Sequence, residues 1–250
     1  MLTTLDIIGP VARLTLNRPE QRNALSLELL RELHSAADRL AGMPVESGPR
    51  VLVITGAGKA FCAGMDLKQV VGNEDAAREL LRTLATLTFK LRMLPMTLLA
   101  VVNGAAIGGG CGVVTVCDLA VTFAENTLGF PEVDLGVCPA VVAPWLVRKV
   151  GPGRARRILL SGGTMNGTEA HDLGLVSHLA PSAAELTALS EGVIARLATA
   201  GPAALRATRQ LLNELDGSTD EAVLSRAADL SAEVLNSAAT QELLRAKMGV

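Results

Sequence analysis

Three successive glycines, Gly108-Gly109-Gly110, constrain this chain more than any other feature, because they interrupt two apolar segments. A backbone without Cβ atoms lets another group lie directly against its N–H donors. Ahead of the glycines, residues 97–102 have the length and bounds of a buried strand, and Asn103-Gly104 then turns the chain. Behind them, residues 113–117 are apolar enough for a buried helix. Its positive end would face the glycines and favour a bound anion or a developing oxyanion. Glu132, between Pro131 and Val133, is a lone carboxylate among apolar residues. In such a setting the pKa of a carboxyl rises and it can serve as acid or base. The chemistry is therefore expected between Pro95 and Gly136.

The rest of the chain reads as support. Its 250 residues suit one main α/β domain with a helical extension, and the 49% hydrophobic content argues against disorder. Strands are expected over 2–8, 11–16 and 50–55, with amphipathic helices over 27–40 behind Ser26 and over 74–93. Residues 139–150 and 153–160 read as two helices, Thr168 as the cap of a short helix to 173, and 176–179 as a brief strand. From residue 183 onward the pattern is almost wholly helical. His34, offset from the apolar stripe of its helix, is expected in solvent. The same holds for His171 and for the cluster Arg154, Arg156 and Arg157.

Several chemistries fail on detail. A dinucleotide-binding GxGxxG starting at Gly108 needs glycine at 113, where the chain has Val113. No GxSxG elbow exists, and Ser161 lacks the preceding glycine. Cys62, Cys111, Cys117 and Cys138 form no CxxC pair and cluster with no histidine, so free thiols and no metal site are expected. Asp66 and Asp118 are read as turn-holding residues. A net charge of −2 gives no nucleic-acid surface. The first residues lack a signal-peptide pattern and no long unbroken apolar run follows, so a cytoplasmic protein without a membrane segment is expected. With no tyrosine and 2% aromatic residues, any pocket should be lined by aliphatic side chains.

Four segments, KAFCAGMDL (59–67), AVVNGAAIGGGCG (100–112), CDLAV (117–121) and LGFPEVDLG (128–136), together resemble the enoyl-CoA hydratase/isomerase, or crotonase, superfamily. Arg22-Asn23-Ala24-Leu25 and EAHDLGLV (169–176) match it as well. The resemblance implies an α/β fold, a crotonase-like spiral of ββα units over 1–195, with a C-terminal helical trimerisation region over 196–250. It implies a homotrimer or a hexamer built as a dimer of trimers. The substrate would be an acyl-CoA thioester, with no permanently bound cofactor. By position, the backbone N–H groups of Met65 and Gly109 would hold the thioester oxygen, Glu132 would be the acid/base, and Arg22, Ala24, Ala63, Asp66 and Leu67 would lie along the CoA.

The chain departs from the family pattern at one place. Hydratases of the best-known type carry two glutamates, the first of which maps onto Gly112, here counted with the substrate-contacting positions. Isomerases of the family need only one carboxylate. Some bacterial hydratases acting on branched glutaconyl-CoA esters resemble this chain both in that glycine and in a run like Gly136-Val137-Cys138-Pro139-Ala140-Val141-Val142-Ala143-Pro144. Hydration, in a methylglutaconyl-CoA hydratase-like manner, is therefore expected ahead of 3-enoyl to 2-enoyl isomerisation, with a non-catalytic acyl-CoA binder as a further alternative. For Asp134 both an assisting and a structural role stay open.

Overall fold

A computed structural model of the chain describes residues 1–249. The chain opens with an antiparallel hairpin, β1 (Thr3–Ile8) and β2 (Val11–Leu16), and continues into α1 (Leu27–Ala41). Ser26 caps α1 by accepting the Leu29 N–H at 3.2 Å. A two-strands-then-helix pattern then recurs: β3 (Val51–Gly56), β4 (Ala60–Cys62), the short α2 (Leu67–Val70) and α3 (Glu74–Met93); next β5 (Thr97–Val101), β6 (Ala105–Ile107) and α4 (Gly109–Val116). In the third unit β7 (Leu119–Phe123) and β8 (Thr127–Gly129) lead into α5 (Ala143–Val150) and α6 (Pro152–Ser161). Then follow β9 (Thr164–Asn166), α7 (Gly167–Asp172) and β10 (His178–Ala180), and finally α8 (Leu186–Ala198), α9 (Pro202–Leu215), α10 (Glu221–Asn236) and α11 (Ala238–Met248).

Each unit gives its first strand to one sheet and its second to another. The larger sheet runs β1-β2-β3-β5-β7-β10 and the smaller β4-β6-β8-β9. Within them β3, β5 and β7 are parallel neighbours, as are β4, β6 and β8. The helix of each unit returns the chain one strand further along both sheets, so the units stack as a spiral.

The larger sheet is covered on both faces. Leu52, Ile54, Leu98 and Ala100 face the main core, while Val51, Val53, Leu99 and Val101 face Leu186 and Ile194 of α8. Burial on both sides explains why β3 and β5 read as continuous apolar runs rather than alternating ones. Among the described residues no helix is long and apolar enough to cross a membrane.

The last helices fold back on the spiral. α10 lies along α3, and α9 is tied to the start of β7 through a half-buried charge cluster. Asp118 accepts from Arg92 at 3.1 Å and from Arg209 at 2.9 Å, and it also takes the Leu98 N–H at 2.7 Å. Asp118 thus holds no local turn, contrary to expectation; it ties β5, α3 and α9 to the start of β7. Removing one member of such a cluster strands the others' charge. Asp118→Ala is expected to lower the unfolding free energy by roughly 3–5 kcal/mol, read from urea denaturation.

Several boundaries differ from those expected. The helix expected over 113–117 begins at Gly109, so the glycines form its first turn. The helix expected from 139 begins at Ala143. The cap of α7 is Asn166, not Thr168: its side chain accepts the Glu169 N–H while Glu169 returns a bond to the Asn166 N–H, a reciprocal pair that outcompetes Thr168. The brief strand lies at His178–Ala180. His34 is half-buried, with Nε2 at 3.0 Å from the Thr83 carbonyl, because α3 packs alongside α1. Of the expected C-terminal region, Val250 lies outside the described residues.

Candidate active site

Two backbone donors come together where the second and first units touch. Gly109 opens α4, so its N–H has no partner within the helix. Met65 follows Gly64, whose φ of 89° turns the chain so tightly that a Cβ there would stand 2.7 Å from the Ile107 carbonyl oxygen. A single parallel bridge joins Leu25 to Met65: Leu25 N–H donates to Gly64 O and Asp66 N–H donates to Leu25 O, at 2.7 and 3.0 Å. That pairing turns the Met65 N–H to the opposite side. Among the described residues, neither the Met65 nor the Gly109 N–H donates to a protein acceptor. They are close neighbours, for the Met65 nitrogen lies 4.0 Å from where a Cβ on Gly109 would be. Two free donors at one point can hold a single oxygen and stabilise negative charge as it develops there.

Glu132 faces the same space. It follows β8 and starts a short 3-10 turn, Val133–Leu135, closed by Gly136 in the left-handed region at φ 72°. Its Oε1 lies 3.0 Å from the Cβ position of Gly108, which has φ 52°, so only glycine at 108 leaves the carboxyl this place. Its Oε2 is buried and, among the described residues, has no hydrogen-bond partner. Burial pushes the carboxyl up to about 7. A group that titrates near neutrality, with one oxygen uncommitted, can both take and return a proton.

Between these groups lies a cavity of about 90 Å3. Ala63, Gly64, Met65, Leu67, Gly108, Gly109 and Glu132 line one part; Leu81, Leu84, Leu135, Val137, Val141 and Val142 form aliphatic walls, and Ser231 of α10 completes it. No aromatic side chain takes part, in keeping with the composition. Gly112 does not line the cavity, contrary to its expected place among the substrate contacts. It lies behind Val142, whose Cγ1 stands 2.3 Å from the Cβ position of Gly112. A side chain at 112 and a valine at 142 exclude one another. Gly112→Ala is expected to cost about 1–3 kcal/mol by overpacking, and Gly112→Ala/Val142→Ala to recover most of it, measured as urea midpoints.

The expected CoA-contacting residues gather beside this cavity, although only Ala63 and Leu67 line it. Arg22 is exposed, in a left-handed turn at φ 49°, and its carbonyl accepts the Ala63 N–H. Asp66 holds no turn. It pairs with Arg18 at 2.7 Å, and the same Arg18 nitrogen donates to the Ala24 carbonyl at 3.2 Å. Asp134 is exposed and outside the cavity, where it accepts the Gly163 N–H at 2.8 Å, a structural contact. Cys62 and Cys111 are buried in β4 and α4, and burial pushes the Cys62 thiol up to about 12, as expected of packing residues.

Four residues of the site were not singled out by the sequence. Asn23 is buried at φ 56°, donates to the Ala57 and Ala60 carbonyls and accepts the Arg18 N–H, which locks the turn carrying Arg22 and Ala24. Asparagine's tolerance of left-handed φ was the available signal. Arg18, Val142 and Ser231 act through partners far away in sequence and left no local signal.

Comparison with known proteins bears on the family and the fold. The enoyl-CoA hydratase/isomerase family model matches residues 6–249. A Thermus thermophilus protein that carries the provisional name enoyl-CoA hydratase is 41% identical over 217 residues, 84% of this chain and 83% of that protein. An enoyl-CoA isomerase/hydratase of Mycosarcoma maydis is 34% identical, with coverage of 81% and 77%. Among solved structures, an enoyl-CoA hydratase from Mycobacterium avium superposes with a TM-score of 0.87 at 29% identity, covering 99% of this chain and 96% of that one. The spiral is therefore the crotonase fold, and the chain belongs to the enoyl-CoA hydratase/isomerase family.

Proposed function

We propose that the chain hydrates a 2-enoyl-CoA thioester, with the Met65 and Gly109 N–H groups as the oxyanion site and Glu132 as sole acid and base. The observation that carries this reading is Glu132 itself, a carboxyl with one buried, unpartnered oxygen across the cavity from two free backbone donors. The thioester carbonyl oxygen accepts from both donors. Glu132 takes a proton from water as the water oxygen bonds to the β-carbon. The electron pair of the double bond moves to an enolate, which the two donors stabilise. Glu132 then returns the proton to the α-carbon, so the carboxylate ends as it began. No resident cofactor enters. The CoA runs past Ala63 and Leu67 toward Arg22, Ala24 and Asp66. Loss of enoyl absorbance with crotonyl-CoA tests this reading, and an enzyme that leaves the absorbance unchanged overturns it.

One observation favours a second reaction. With Val142 over Gly112, the wall opposite Glu132 offers no second carboxylate to hold water. A single base suffices to move a proton from the α-carbon of a 3-enoyl-CoA to its γ-carbon. Conversion of a 3-enoyl-CoA into the conjugated 2-enoyl-CoA tests that isomerisation, and failure to form the conjugated product counts against it. If calorimetry finds tight CoA-ester binding and a thioester panel finds no turnover, the protein is a binder only. Self-association as a trimer or a dimer of trimers belongs to the same proposal. It is supported by Leu211, Leu212 and Leu215 of α9, each more than half exposed, and light scattering decides it.

A further inference from the structure

Resting on the reading of the cavity as an acyl-CoA site, we infer that the acyl group it takes is uncharged and aliphatic, and that enoyl-CoA esters with a terminal carboxylate are excluded. The inference comes from what surrounds Glu132. Its neighbours across the cavity are Leu81 and Leu84 from α3, and Val137, Val141 and Val142 from the segment between β8 and α5. Among the described residues no lysine, arginine or histidine lines the cavity. Besides Glu132, the polar side chains there are Cys138 and Ser231, and the Ser231 hydroxyl already donates to the Cys138 carbonyl at 2.9 Å. Two cations of the surrounding segments are committed elsewhere: Arg18 holds Asp66, and Lys247 donates to the Asp134 carbonyl outside the cavity.

A terminal carboxylate drawn into this space meets two costs. It loses its hydration without gaining a positively charged or hydrogen-bonding partner, which an apolar wall cannot offset. It also enters beside Glu132, and two carboxylates sharing a low-dielectric site cannot both stay ionised. A branched or straight alkyl group meets neither cost. It buries its surface against Leu and Val side chains at about 25 cal/mol per Å2. The run from Val137 to Val142, whose likeness suggested branched glutaconyl esters, thus supplies an aliphatic wall and nothing that pairs with a second acid.

Two esters of matched shape separate the cases. Glutaconyl-CoA ends in CH2–COO−, and 5-methylhex-2-enoyl-CoA ends in an isobutyl group of nearly the same outline without charge. At pH 8 the expected result is a kcat/KM at least roughly 100-fold higher for the uncharged ester, the order of discrimination reached when a polar group enters an apolar site with no partner. Equal or better turnover of glutaconyl-CoA overturns the inference and leaves the enoyl-CoA reading intact. If neither ester turns over, the hydratase reading falls, and the inference is still decided by calorimetry with the saturated esters. Binding of 5-methylhexanoyl-CoA at least tenfold tighter than glutaryl-CoA upholds it, and equal or reversed affinities overturn it.

Discussion

Glu132→Gln is expected to lower kcat by roughly 10²–10⁴-fold with little change in KM, because the amide keeps the shape of the side chain and loses the proton transfer. The wild-type pH profile should locate the same group. With its carboxyl pushed up to about 7 by burial, the ionised base is lost below that pH, and kcat/KM should fall on the acid side with a limb near 7. The stability effect runs the other way. Glu132 titrates near 4.5 when unfolded and near 7 when folded, so between those values the folded chain binds more protons and is stabilised by acid. Above pH 7 the buried charge costs its full amount, about 3 kcal/mol by the same shift. The glutamine variant escapes that cost. It should therefore be less active yet more stable than wild type at pH 8, and the difference in stability should vanish below pH 4.5. Urea denaturation at pH 4 and pH 8 measures it. An active Glu132→Gln protein would remove the carboxyl from the mechanism altogether.

Gly109→Pro is expected to lower kcat/KM by about 10²–10³-fold while leaving the helix in place. Proline suits the first position of a helix, where its missing N–H had no helical acceptor. At Gly109 that missing N–H is one of the two donors beside the cavity. Crowding alone is controlled by Gly109→Ala, whose Cβ would meet Leu25 Cδ1 at 3.2 Å and Leu84 Cδ2 at 3.4 Å, both movable side-chain ends. Alanine keeps the donor and should retain most of the activity. If alanine and proline reduce kcat/KM equally, the loss is steric and the donor plays no part. Circular dichroism and a urea midpoint for each variant separate catalytic loss from unfolding.

How far the sequence reached depended on the range over which each residue acts. The strand and helix pattern was legible because burial leaves a local periodicity, as in Leu29, Leu30, Leu33, Ala37 and Leu40 of α1, all buried. Glu132 was legible as a lone carboxylate in a largely apolar stretch, although its burial comes from distant segments such as Gly108 and Leu84. The start of α4 was not, because glycine disfavours a helix interior. Tertiary contact overrides that preference: a Cβ on Gly110 would stand 2.4 Å from the Cys62 carbonyl oxygen, so only glycine lets α4 approach β4. Asn166 and Glu169 did carry a readable capping signature three residues apart. Val142 against Gly112 and Arg18 with Asp66 did not, since 30 and 48 residues separate partners that only the fold brings together.

Part of the cavity lining comes from α10, far along the chain from the glycines. Ser231 lines it; beyond it, in α11, Thr240 donates to the Gly136 carbonyl at 2.8 Å and Gln241 accepts the Gly72 N–H at 2.8 Å. Docking α11 on the spiral therefore depends on contacts 104 and 169 residues apart in sequence, which form slowly because their long loops must close first.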